Sequence, residues 1–234
     1  MKRLTIYCLT CLIGVSLLFA QQGVTQCGTP TGQPKFPIET YQELPDPSSP
    51  SDKDWAAVTI PQISWGTIDT RYAKHRLPQL KKQQLTTLKG WRGERVNAQA
   101  VVWTGTEVKD LNFSFTDFKD KKGNSLSDEA FKAGFIRYVM TDELNKDGRG
   151  ACGHRQAVDY DSLLVADPID TNLKSMSVPA RTVQPIWVQC WIPQSATPGT
   201  YKGALLVKDG SRLLQQLNLE ILVSSRELPA PSEW

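Results

Sequence analysis

From Trp55 onward, apolar and polar residues alternate over short stretches. AVTIPQISW, VNAQAVVW, LNFSFTDF, GFIRYVMT, VQPIWVQCWI, TYKGALLVK and QQLNLEILV each alternate or run apolar over strand lengths. Val, Ile, Leu, Trp and Tyr dominate them, residues that suit a pleated, half-buried surface. Turn chemistry separates them: DKKGN, NKDGRG, ATPGT and KDGS. The last places an Asp-Gly pair between two apolar strands, a strong hairpin signal. LSDEAFKAG at 126–134 allows one short helix, with Ser127 as N-cap and Gly134 past its end, or an irregular segment. Long helical periodicity and internal repeats are absent. About eight to ten strands with this turn spacing predict an all-β protein, an antiparallel β-sandwich over residues 53–226. A closed barrel is the alternative.

The pattern fails at both ends. Lys2 and Arg3 precede the apolar run LTIYCLTCLIGVSLLF, and small Ala20 and polar Gln21 follow it. That order reads as a signal peptide over residues 1–20, with export to the periplasm, cell surface or medium and no membrane span once it is removed. Residues 21–52 hold six prolines among Gly, Ser and Thr. Such a segment buries too little apolar surface to offset its ordering entropy, so a disordered tether is expected. At the other end Pro229 and Pro231 cannot donate ladder hydrogen bonds, so the last strand must stop and 227–234 reads as the start of a linker. Leu228 and Trp234 are large apolar residues there, which suits contact with a further domain.

Without Lys2 and Arg3 the chain keeps 25 basic against 24 acidic residues, a balance that gives no support for nucleic-acid binding. KKQQLTTLKGWRGER is basic, but lysines guarding a solvated strand edge explain it. Cys27, Cys152 and Cys190 lie outside the signal, an odd number. Cys152 is a candidate disulfide partner for Cys27 or Cys190; three free thiols, with Cys190 buried in a strand, is the other reading. Cys152 and His154 lack a second ligand pair, so no metal and no other cofactor is expected. Asp142 and Glu143 are adjacent and point to opposite faces if they lie on a strand, so they do not form a converging acid pair. Asp167 and Asp170 bracket Pro168 and read as turn formers. No catalytic residue is assigned.

Trp187 and Trp191 stand four apart on one predicted strand and share a face, opposite Ile186, Val188, Cys190 and Ile192. Either the aliphatic face points inward, leaving the tryptophans as a docking or glycan-stacking surface, or the tryptophans are the core.

Four blocks in order carry a family resemblance: WRGERVNAQAVVWT at 91–104, RYVMTDELNKDGRGACGHR at 137–155, ARTVQPIWVQCWIPQSATPGTYKGALLV at 180–207 and LPAPSEW at 228–234. They resemble the N-terminal β-sandwich of glycoside hydrolase family 123, secreted bacterial β-N-acetylgalactosaminidases. The resemblance implies a catalytic (β/α)-barrel C-terminal to Trp234, whose adjacent Asp-Glu pair works with the substrate's acetamido group. Asp142-Glu143 belongs to the wrong domain for that role. What the resemblance leaves to this chain is support of the barrel, with Asp142, Glu143, His154 and Arg155 on a loop that reaches its active-site mouth, and Trp187, Trp191, Leu228 and Trp234 as interdomain or glycan contacts. Glycans are the other possible partner, bound by a stand-alone sandwich.

Overall fold

The computed structural model describes residues 43–141 and 162–229. Twelve strands run through them: β1 (Gln62–Gly66), β2 (Leu85–Arg92), β3 (Arg95–Thr104), β4 (Val108–Phe115), β5 (Phe118–Lys119), β6 (Ser125–Leu126), β7 (Phe131–Thr141), β8 (Leu163–Asp170), β9 (Ser175–Val178), β10 (Thr182–Trp191), β11 (Gly199–Asp209) and β12 (Arg212–Glu227). A single helical turn, α1 (Asp52–Trp55), precedes them. A five-stranded sheet has the order β1-β3-β10-β7-β8; a seven-stranded sheet has the order β2-β12-β11-β4-β9, with β5 and β6 beside it. The number exceeds the expected eight to ten because β5 and β6 are two-residue strands and β8 and β9 carry weak alternation. Pairing is antiparallel except between β12 and β2, which run parallel. The basic tract 81–95 therefore holds an edge strand, as its lysines suggest. The short helix allowed at 126–134 is a 3-10 turn over Asp128–Ala130, and Phe131 already begins β7.

The inner faces follow the alternation. Val96, Ala98, Ala100 and Val102 of β3 meet Leu217, Leu219, Ile221 and Val223 of β12 in one core with Ile186, Val188 and Cys190 of β10 and with Ile192 just past its end. Phe118 and Phe131 stack at 4.0 Å within it, and a Cβ on Gly203 would sit 2.7 Å from the Phe118 ring, which is why β11 has glycine there. Trp65 ties the sheets together, its indole N–H donating to the Asn218 carbonyl at 2.8 Å. At the start of β11 the Tyr201 hydroxyl donates back to the Thr197 carbonyl at 2.7 Å, a tyrosine corner that fixes the ATPGTY turn.

Pro185 sits in β10, a central strand, where proline ordinarily breaks the ladder. Gln184 repairs the gap: its buried amide donates to the Ile136 carbonyl of β7 at 2.9 Å, next along from the Ile186–Phe135 pair. Pro168 lies on edge strand β8 where the register against β7 slips between Ile136 and Tyr138. Asp170 is not a simple turn former. It is buried, accepts from the Asn172 and Leu173 amides, and faces Arg137 at 3.5 Å.

The five-stranded sheet is covered on its outer face too. The segments on either side of β1, residues 52–58 and 67–82, lie over it, with Trp55, Tyr72, Leu77 and Leu80 packing on Val101, Trp103 and Val183. Gln99 donates to the carbonyls of Thr67 and Thr70, and Trp55 to that of His75. Residues 43–51, read from composition as tether, also rest on the sandwich: Glu43 pairs with Lys74 at 2.7 Å and with Arg137 at 3.4 Å.

Candidate docking corner

The cover over the five-stranded sheet stops short of Trp191. The side chain is 53% exposed at the end of β10. Its indole N–H donates to the Gly93 carbonyl at 3.1 Å, and the Arg95 guanidinium lies 4.5 Å from the ring centroid. The tryptophans thus face away from the inter-sheet core, and the aliphatic residues of β10 face into it. The two differ, however. Trp187 is half-buried against Ile136, Tyr138 and Met140, whereas Trp191 stands in solvent.

Gly93 is the centre of this corner. It turns the chain from β2 into β3 with φ +86°, a conformation that suits glycine. Its N–H donates to the Ile192 carbonyl, and the Ile192 N–H to the Glu94 carbonyl, so the turn is stitched to the end of β10. The Glu94 carboxylate accepts from the Trp91 N–H at 2.7 Å. Arg92 pairs with Glu227 at 3.0 Å and donates to the Gln194 carbonyl at 3.2 Å. Leu228 then donates its N–H to the Arg92 carbonyl at 2.8 Å. The five residues WRGER thereby hold the ends of β10 and β12 together, one from each sheet.

A second exposed tryptophan, Trp91, lies on the other side of the same turn, 38% exposed with Arg226 over its ring at 5.5 Å. Beside it Lys89, Leu222 and Ser224 line an open cleft of about 540 Å³. Trp91, Arg95 and Arg226 were not singled out from sequence. The signal was a lone tryptophan in a basic edge tract, where a small or polar residue would keep the edge soluble as well. Chemically the corner offers two indoles, aliphatic surface and guanidinium groups, the composition of a protein-docking surface.

Leu228 therefore lies at this corner. Asp142, Glu143, His154, Arg155, Trp234, Cys27 and Cys152 lie outside the described residues. Cys190 is a free, buried thiol on the core face of β10, and burial pushes it up to about 12; both other cysteines of the candidate bridges lie outside the described residues. Among the described residues no cluster of three His, Cys, Asp or Glu side chains could hold a metal, and no helix is long and apolar enough to cross a membrane. Glu43 and Asp170 converge on Arg137, but the guanidinium lies between them and each carboxylate answers a cation, which is ion-pair structure and not an acid–base pair.

Residues 65–209 match the family described as the glycoside hydrolase 123 N-terminal domain. Among solved structures, a family 123 glycoside hydrolase from Clostridium perfringens, described in terms of glycolipid glycan hydrolysis, superposes with a TM-score of 0.60 at 20% identity, over 74% of this chain and 29% of that one. This chain thus spans under a third of that protein. A PapD-like domain of human CEP192 matches with a TM-score of 0.35 at 11% identity, over 80% of this chain and 95% of that one; at that distance it does not bear on function. No curated protein matches the chain. The matched segment takes in β2 to β11 and most of both sheets, and on that ground the chain belongs to the glycoside hydrolase 123 N-terminal domain family.

Proposed function

We propose that this chain is the non-catalytic N-terminal domain of an exported family 123-type glycosidase, and that it braces a catalytic domain through the WRGER corner. Family membership supports the glycosidase setting, with β-N-acetylgalactosaminides as the substrate class of the whole enzyme. The observation that carries the bracing role is the bond from Leu228 to Arg92. It brings the end of β12 to the one corner where Trp91 and Trp191 are both exposed. Large aromatics and arginines are the residues that dominate binding energy when buried at interfaces. A glycan platform is the weaker reading: Trp187 is half-buried, and Arg95 already lies over the Trp191 ring.

The test uses the polypeptide with whatever coding sequence follows Trp234. A catalytic domain there that unfolds in one transition with the sandwich, and in two transitions in a Trp91→Ala/Trp191→Ala variant, supports the proposal. Hydrolysis of an aryl β-N-acetylgalactosaminide by residues 21–234 alone would overturn it. So would coupling that survives the double variant. A glycan-array signal lost in Trp191→Ala would move the corner to sugar binding. Export is checked separately, by finding the N-terminus of the secreted protein at Gln21.

A further inference from the structure

We propose that the partner docked at the WRGER corner presents carboxylates to Arg95 and Arg226, so that the surface meeting this corner is acidic. This rests on the bracing role proposed above and names the chemistry of the partner's face. Arg71, Arg92, Arg137, Arg181 and Arg212 each meet a carboxylate within the chain. Burial is not the reason, since the Arg71 and Arg212 side chains are 51% and 68% exposed. Arg95 and Arg226 differ. Among the described residues neither guanidinium has an ion-pair or hydrogen-bond partner. Each lies instead over an exposed indole, Arg95 at 4.5 Å from the Trp191 ring centroid and Arg226 at 5.5 Å from that of Trp91. Both arginines have a glutamate beside them in sequence, and both glutamates are turned elsewhere. The Glu94 carboxylate accepts from the Trp91 N–H at 2.7 Å, and that of Glu227 pairs with Arg92 at 3.0 Å.

The two arginine–tryptophan pairs are built alike, one in each sheet. Arg95 of β3 is the register partner of Trp191 on β10. Trp91 of β2 and Arg226 of β12 each stand one residue before the Arg92–Glu227 pair of the parallel ladder. A guanidinium over a ring is held there by its charge and keeps its N–H edge for another partner. That edge matches a carboxylate through two parallel hydrogen bonds. The indole beneath supplies an apolar floor, and Trp191 is already fixed by its N–H bond to the Gly93 carbonyl at 3.1 Å. The wider charge agrees. Lys89, Arg92, Arg95 and Arg226 stand here against Glu94 and Glu227, in a chain that without Lys2 and Arg3 holds 25 basic and 24 acidic residues. A positive corner on a nearly neutral chain favours a negative partner face and disfavours a positive one. The occupant is the catalytic domain of the proposed function, because the Leu228–Arg92 bond leads the chain into this corner.

The test uses the polypeptide extended past Trp234. Arg95→Glu/Arg226→Glu should split its single unfolding transition into two, because like charges then face each other across the corner. The same variant should leave the unfolding midpoint of the chain ending at Trp234 unchanged. A second measurement needs no variant. An arginine-directed dicarbonyl, read residue by residue by mass spectrometry, should modify Arg95 and Arg226 at least about tenfold more slowly in the longer polypeptide than in the shorter chain, and Arg212 equally in both. Coupling that survives Arg95→Glu/Arg226→Glu, or equal labelling of both arginines in the two lengths, would overturn the acidic face. Bracing survives that result where Trp91→Ala/Trp191→Ala still uncouples the domains; where neither variant uncouples them, both readings fall. A sulfated or sialylated glycan bound by the shorter chain and released by the arginine variant would give the guanidiniums to a sugar and overturn the docking partner. If the variant shifts the midpoint of the shorter chain, the labelling of the unaltered proteins decides.

Discussion

The outer face of the five-stranded sheet lies under the segments that flank β1, residues 52–58 and 67–82, with Val101, Trp103 and Val183 packed against Trp55 and Tyr72. The outer face of the seven-stranded sheet instead presents Gln216, Asn218 and Leu222 of β12 to solvent. The strands record this difference. β3 ends in AVVWT, buried at every position from Ala98, because it has cover on both sides. β12 keeps LNLEILV, buried at every second position, because it has cover on one. The corner at Trp191 lies where the two regimes meet: the five-stranded sheet continues and its roof does not.

The largest effect that tests this contrast comes from Trp103→Ala. Trp103 is buried on the outer face of β3 with Lys82 5.7 Å above its ring. Loss of a buried indole under a packed cover should cost about 3–5 kcal/mol. Urea unfolding followed by far-ultraviolet circular dichroism measures it. A cost under about 1 kcal/mol, the range of surface changes, would mean that the segments flanking β1 lie loosely on the sheet.

A smaller effect tests the face between the sheets. The Cys190 thiol is raised from 9.0 to about 12 by burial, so the folded chain keeps its proton where the unfolded chain loses it. Between those values the folded state binds more protons, and stability falls as pH rises. Cys190→Ala cannot titrate there. The stability difference between wild type and Cys190→Ala should therefore shift against wild type from pH 9 towards about 12, by at most a few kcal/mol. Over the neutral range a thiol reagent should label Cys190 only after unfolding. Labelling of the native protein at the unfolded rate would place β10 the other way round.

Much of this architecture was legible because alternation reports burial directly. The β10 parity that sends Ile186, Val188, Cys190 and Ile192 inward needs no tertiary information beyond one core face. Covered outer faces are harder. An apolar run such as LLVA in β8 fits a strand or a short helix equally; β7 pairs one of its edges, and the other is bonded by Lys74 and Tyr72, about ninety residues earlier in the chain. Glu43 was hidden for a related reason. Composition marks its segment as tether, and only the fold brings Lys74 and Arg137 to it. The docking corner was half legible. Trp191 and Leu228 stood out by size and position. Trp91 joins them only because β2 runs parallel to β12, a pairing that hairpin logic does not suggest.

The smallest effect is the sharpest on function. Leu222 sits on the bare face of β12, exposed, and lines the cleft beside Trp91. In this chain alone Leu222→Ser removes little packing and should change stability by no more than about 0.5 kcal/mol. A docked domain changes that expectation, because a leucine buried at an interface loses its transfer free energy on truncation, about 1.5–3 kcal/mol. Unfolding of Leu222→Ser measured twice, in residues 21–234 and in the polypeptide extended past Trp234, therefore separates a solvent face from an interface. A loss that appears only in the longer protein places the partner on this corner; equal small losses in both leave the seven-stranded sheet's outer face to water.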